Sequence, residues 1–198
     1  MPISSVQIAN FALSKIGADG TIESLTENSA EANVCNLWFE HARKQTLAAF
    51  NWSFAKNRET LATHGDDPSD DWTYRYVYPA TCLKARFIFN PLGKKADPVP
   101  FEIENSDSGT KSILTDGVDA ILIFTKDVST PSLYTEWFIE TFSTILGAHI
   151  SYALTGKRKM RTELFEEARK LLILAPAMDA VEGQEAPPRD ADHIRGRD

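Results

Sequence analysis

The side chains best equipped for covalent or acid–base chemistry in this chain are four histidines, His41, His64, His149 and His193, and two cysteines, Cys35 and Cys82. A hydrolase needs a nucleophile, a base beside it and a pair of donors for the oxyanion. His41 and His149 fall inside helical patterns, where a packed or surface histidine is the common finding. His64 precedes Gly65-Asp66-Asp67, which resembles a fragment of a cation site. It lacks both EF-hand spacing and a second histidine at helical distance, and reads as a solvated acidic turn. No GxSxG, phosphate loop or dinucleotide fingerprint is present, and Gly93-Lys94-Lys95 lacks the earlier glycines of a phosphate loop. The residues therefore predict a non-enzymatic protein with no catalytic residues, no metal and no cofactor.

Cys35 and Cys82 show no CxxC or Cys/His spacing and read as buried thiols in a reducing compartment. Two further groupings could touch a nucleic acid. The run Lys157-Arg158-Lys159-Met160-Arg161 is the one basic patch, read first as a solvated turn and otherwise as a surface for an acidic neighbour or for DNA. The aromatics Trp52, Phe54, Trp72, Tyr74, Tyr76 and Tyr78 could stack on bases. They lack interleaved Arg and Lys, which favours a role in a core or a subunit contact.

The elements that must position these residues follow from periodicity. Ser4-Ser5-Val6-Gln7 forms a capping box, and Ile8, Ala12, Leu13 and Ile16 then recur at helical spacing up to Gly17. A second helix is expected behind a cap at Asn28 with Glu31, running to about Phe50 through Val34, Leu37, Trp38 and Ala42. The period then shortens. Strands are expected at Trp52–Lys56, Tyr74–Tyr78, Leu83–Phe89, Phe101–Glu104, Lys111–Leu114 and Ala120–Phe124, the last apolar at consecutive positions as in a fully buried strand. Pro131 behind Thr130 should open a third helix, Leu133 to Leu154, apolar nearly all round. Its narrow polar line, Glu136, Glu140, Ser143, Gly147 and Ser151, suits close approach of another backbone. A fourth helix should run from Met160 to Pro176. The expected fold is thus α+β: a four-helix bundle (residues 1–51 and 131–175), a β-rich insertion lobe between helices two and three (52–130) and an extended C-terminal tail (176–198).

With 198 residues, one domain with an insertion suffices. The net charge of -7 disfavours a grip on phosphates but suits a wall past which DNA slides unbound. No signal peptide or membrane-spanning run is read, which places synthesis and assembly in the cytoplasm. The tail carries Pro176, Pro187 and Pro188 with six acidic residues against three arginines. Such a composition does not fold alone, so order there would come from a partner. Trp137, Glu140, Gly147, Ser151, Lys157 and Arg158 are the residues expected at a contact between identical subunits.

Ala12-Leu13-Ser14-Lys15-Ile16-Gly17, then Ala42-Arg43 and Leu47, then Asn51-Trp52-Ser53-Phe54-Ala55, and later Tyr78-Pro79 with Cys82-Leu83-Lys84 give an order that resembles the tail tubular protein A group of phage head-to-tail adaptors. The likeness spans roughly residues 5 to 175 in layout and is sharpest over 12 to 55. It implies a ring of twelve copies in the virion, between the portal protein and the tail nozzle protein, around double-stranded DNA that passes without specific binding. It also implies C-terminal tails that reach the portal, which here would use Pro187, Pro188, Arg189, His193, Ile194, Arg195 and Arg197. Two other expectations stand beside it: a small α+β enzyme with a site between sheet and bundle, and a different neck component such as a head-completion or tail-terminator protein.

Overall fold

The computed structural model describes residues 3–68, 71–90, 99–106 and 109–180. It is a mixed α+β structure of four helices and two small antiparallel sheets. The first helix, α1 (Ser5–Lys15), opens on the expected capping box: the Ser4 N–H donates to Gln7 Oε1 at 2.8 Å and the Gln7 N–H to Ser4 Oγ at 3.2 Å. Gly17, in the left-handed region at φ 68, ends it. In the following loop the Asn10 amide bonds both the N–H and the carbonyl of Ile22. Helix α2 (Ala30–Ala49) is capped by Ser29 rather than Asn28. Ser29 Oγ accepts from the Ala32 N–H while donating to Glu27, whose carboxylate also accepts the Glu23 and Ser24 N–H groups. Those bonds hold the Glu27 carboxyl below the usual carboxylate range.

The six strands among the described residues all lie between α2 and α3 in chain order. They are β1 (Lys56–Thr60), β2 (Tyr74–Val77), β3 (Cys82–Phe89), β4 (Phe101–Asn105), β5 (Lys111–Thr115) and β6 (Ile121–Lys126). One sheet has the order β1-β6-β3 and the other β2-β5-β4, every pairing antiparallel. The consecutive apolar run sits where it was expected: β6 is the central strand of its sheet, and Leu122 and Phe124 are fully buried with Ile88, Tyr76 and Ile113 in a core shared by both sheets.

The expected strand at Trp52–Lys56 is absent over its first four residues. Ser53 to Lys56 forms a turn, with the Lys56 N–H on the Ser53 carbonyl, and pairing with β6 starts only at Lys56. The reason is burial. Trp52 turns its whole side chain into the helices and donates from Nε1 to the Thr46 carbonyl at 2.9 Å, satisfying one of the open carbonyls at the end of α2. Lys84 Nζ takes the Ala48 carbonyl in the same way. Trp52, Ala55 and Val128 therefore belong to the helical core, while the strands keep a core of their own.

Pro131 opens a short 3-10 turn (Pro131–Leu133), not the third helix. Helix α3 (Glu136–Thr155) starts behind Thr135, whose Oγ1 accepts from the Phe138 N–H, because Thr130 makes no such bond. Gly156, at φ 69, closes it. Helix α4 (Arg158–Ala180) passes through Pro176, where the sequence predicts its end. A proline there removes one ladder hydrogen bond. The loss is offset by the next turn, in which the Asp179 carboxylate accepts the Ser53 N–H at 3.1 Å and its hydroxyl at 3.0 Å, beside the buried Ala175. Residues 176–180 are thus helical rather than tail. Helix α3 is central and contacts each of the other three.

Candidate functional site

The residues expected at a subunit contact separate into three groups. Gly147 and Ser151 lie inside the protomer. A Cβ on Gly147 would stand 3.3 Å from the Ala12 carbonyl oxygen, so the backbone that comes close is α1 of the same chain. Ser151 is fully buried and donates to the Ala148 carbonyl. Neither is exposed to a neighbour, which corrects their expected place at a subunit interface. The physical reason is that α3 is covered on three sides by α1, α2 and α4.

Trp137 and Glu140 form the second group, near the start of α3. Trp137 is half-buried and lines a hollow with Trp52, Met178 and Asp179. Glu140 pairs with Lys15 of α1 at 2.5 Å and stays about half exposed. Beside them, between α1 and α3, runs a groove of about 380 Å³ lined by Ile3, Phe11, Tyr134, Glu136 and Ile139. It continues along Lys15 and Glu140, and Glu136 lines both parts. Phe11 is 45% exposed; Leu133, 56% exposed, lines a separate hollow with Lys56 and Lys126. Sequence reasoning missed the groove; the available signal was a phenylalanine out of phase with the Ile8, Ala12 and Ile16 stripe.

Lys157 and Arg158 form the third group, at the opposite end of α3. The basic run is not a free turn: from Arg158 it makes up the first turn of α4, with no acidic residue there. Lys157, Arg158, Lys159 and Arg161 are all exposed. Among the described residues no carboxylate lies within ion-pair reach of Lys157, Arg158 or Arg161; Lys159 meets Glu163 at 3.4 Å. Cations at a helix N-terminus oppose the macrodipole, at roughly 0.3–1 kcal/mol each. Arg158 lies over the exposed Tyr152 ring, 5.5 Å from its centroid.

The portal-contact residues Pro187, Pro188, Arg189, His193, Ile194, Arg195 and Arg197 lie outside the described residues. Of the remaining histidines, His64 accepts the Asp66 N–H at Nδ1 and meets Thr110 at Nε2. Among the described residues no group of three or more His, Cys, Asp or Glu side chains is placed to hold a metal ion. Cys35 is fully buried, and burial first, then Glu31, pushes its thiol up to about 11. Trp72 hydrogen-bonds Glu102, and Tyr76 is in the core between the sheets.

His149 sits in the seam of α2, α3 and α4. It stacks on Trp38 at 4.6 Å and meets the edges of His41 and Phe165, each at 5.2 Å. Nε2 lies 2.8 Å from Gln45 Oε1, so Nε2 carries the proton, and the buried Nδ1 has no hydrogen-bond partner. Burial, then the charges of His41 and Arg161, pushes its pKa down to about 4. The unfolded chain takes up this proton near 6.5, so the contribution of neutral His149 is whole above that pH and declines as pH falls from about 6.5 to about 4. After allowance for partial exposure the loss is up to about 2 kcal/mol. Urea midpoints at pH 7, 6 and 5 are expected to fall more steeply for the natural chain than for His149→Gln; equal slopes would remove this assignment.

The helices and sheets are joined by two guanidinium groups. Arg43 of α2 is nearly fully buried and bonds Glu40, Asp127 and the Val128 carbonyl, the last at 2.7 Å; Tyr134 donates to the same carbonyl. Arg86 of β3 donates to Thr125 Oγ1 and to the Trp52 carbonyl at 2.7 Å. Burial pushes the Arg86 pKa down.

No described helix is long and apolar enough to cross a membrane. No protein-family model matches the chain, and no curated protein matches it either.

Proposed function

We propose that this chain is a non-enzymatic structural subunit of a phage head-to-tail connector, in the manner of the tail tubular protein A group that its sequence resembles. Identical copies close into a ring of about twelve between the portal protein and the tail nozzle protein, at the head–tail junction of the virion, by a heterologous contact. The four helices act as a bundle under the portal, the strands as an insertion lobe toward the tail, and the C-terminal residues as the link to the portal. Double-stranded DNA passes through the lumen, kept from the wall by a net charge of -7.

The supporting observation is the layout. The chain leaves the helices at Trp52 and rejoins them at Val128, both in the helical core, so six strands project from one place on the helices. Two unlike exposed surfaces at opposite ends of α3 also suit a contact that is not self-paired. The test is to add the purified chain to portal-bearing heads and view the vertex by electron microscopy: rings on the portal are expected, and rings on a tail tube would reassign the chain to a tail terminator. Removing residues 181–198, and not the helical 176–180, should leave a folded protein that no longer co-sediments with those heads. Full co-sedimentation of the truncated chain would show that the link lies elsewhere.

A further inference from the structure

From the charges at the two ends of α3 we infer the contact that joins one copy of this chain to the next: the basic start of α4 docks in the groove between α1 and α3 of a second copy. There the Glu136 carboxylate is unpaired among the described residues and Glu140 is taken by Lys15. The inference rests on the ring reading above and adds to it the partner surfaces. The two surfaces are on opposite ends of a 20-residue helix, about 30 Å apart at 1.5 Å per residue, so one copy cannot bring its own two together. One end offers Lys157, Arg158 and Arg161 without carboxylate partners among the described residues, next to Tyr152, 45% exposed. The other offers Glu136, which has no cation within ion-pair reach among the described residues, at the lip of a groove lined by the exposed Phe11. Each surface supplies what the other lacks, a charge of opposite sign and an apolar or aromatic neighbour to cover it.

A second copy fits the basic surface better than DNA does. Binding to a duplex draws on many phosphate contacts, and three cations on a chain of net charge -7 supply few of them. Tyr152 and Arg158, stacked together, make an anchor of the kind that dominates protein–protein contacts. Because the surfaces differ, a copy engaged through one surface still has the other free, and the series ends only when it closes.

The test uses the full chain with Cys82→Ser, leaving buried Cys35 in place, and a short bismaleimide cross-linker, both in solution and on portal-bearing heads. An equal mixture of Ser132→Cys and Thr162→Cys chains, exposed positions beside the two surfaces that leave Glu136 and Arg158 in place, is expected to give a linked dimer, neither chain alone is expected to link to itself, and a chain carrying both substitutions is expected to give a ladder of higher oligomers. Self-linking by either single variant, or no dimer from the mixture in both settings, overturns the contact. If rings still form on the portal while the mixture fails to link, the connector role stands and this contact alone falls. Low-salt retention of duplex DNA by the natural chain, lost on Lys157→Glu with Arg158→Glu, would assign the basic surface to DNA and likewise overturn the inference.

Discussion

Replacing Arg43 with methionine is expected to lower the stability of the protein by about 2 kcal/mol, since it removes the hydrogen bonds of a buried guanidinium to the partly exposed Asp127 and to the Val128 carbonyl. The guanidinium is 2% exposed and serves three acceptors on two different parts of the fold: Glu40 one turn earlier in α2, and Asp127 and the Val128 carbonyl where the strands return to the helices. Methionine fills much of the volume but donates nothing. Glu40 is 63% exposed and open to water, Lys44 approaches Asp127 at 3.6 Å and Tyr134 still serves Val128, which keeps the loss below that of a fully buried pair. Urea denaturation at pH 7 would report it as a lower midpoint. A change below about 0.5 kcal/mol, the scale of an ordinary surface substitution, would mean that the clamp contributes little.

Truncating Phe138 to alanine is expected to cost more, about 4 kcal/mol, in the range for large aromatic deletions from a core. Phe138 is fully buried and its ring meets Trp52, Phe54, Tyr134 and Phe142 at centroid separations of 5.2, 5.0, 4.6 and 5.8 Å. These neighbours come from three segments: the turn after α2, the stretch before α3, and α3 itself. Their own packing and hydrogen bonds resist collapse into the space left. Trp52 is held by Thr46 and Tyr134 by Val128, so the hollow would persist. Loss of stability by calorimetry, with a blue or red shift in Trp52 fluorescence, is the expected pair of signals. A loss under about 2 kcal/mol would show that the cluster relaxes into the gap.

The sequence made the class of fold and the order of elements legible because those depend on local pattern. Periodicity and caps located α1, and consecutive apolar positions marked β6 as the buried central strand. Boundaries were misread where a distant partner decides them. Trp52 alternates with Phe54 as a strand residue would, yet the carbonyl of Thr46 and the open helical core draw it out of the sheet. Pro176 carries a local stop signal that Ser53, far away in the chain, overrides through Asp179. Gly147 and Ser151 were misread for a related reason. A small-residue line on α3 marks close packing but not the packing partner, and Gly147 spends it on α1 of its own chain. The groove was invisible because Phe11 of α1 is brought beside Glu136 and Ile139 of α3 only by the fold.

Strands and helices exchange the chain twice, and each crossing carries its own guanidinium staple, Arg86 on the Trp52 carbonyl and Arg43 on the Val128 carbonyl. A two-stranded junction with a single tie would swivel. With ties on both crossings, the strands and α2 are expected to turn together and not about a single point.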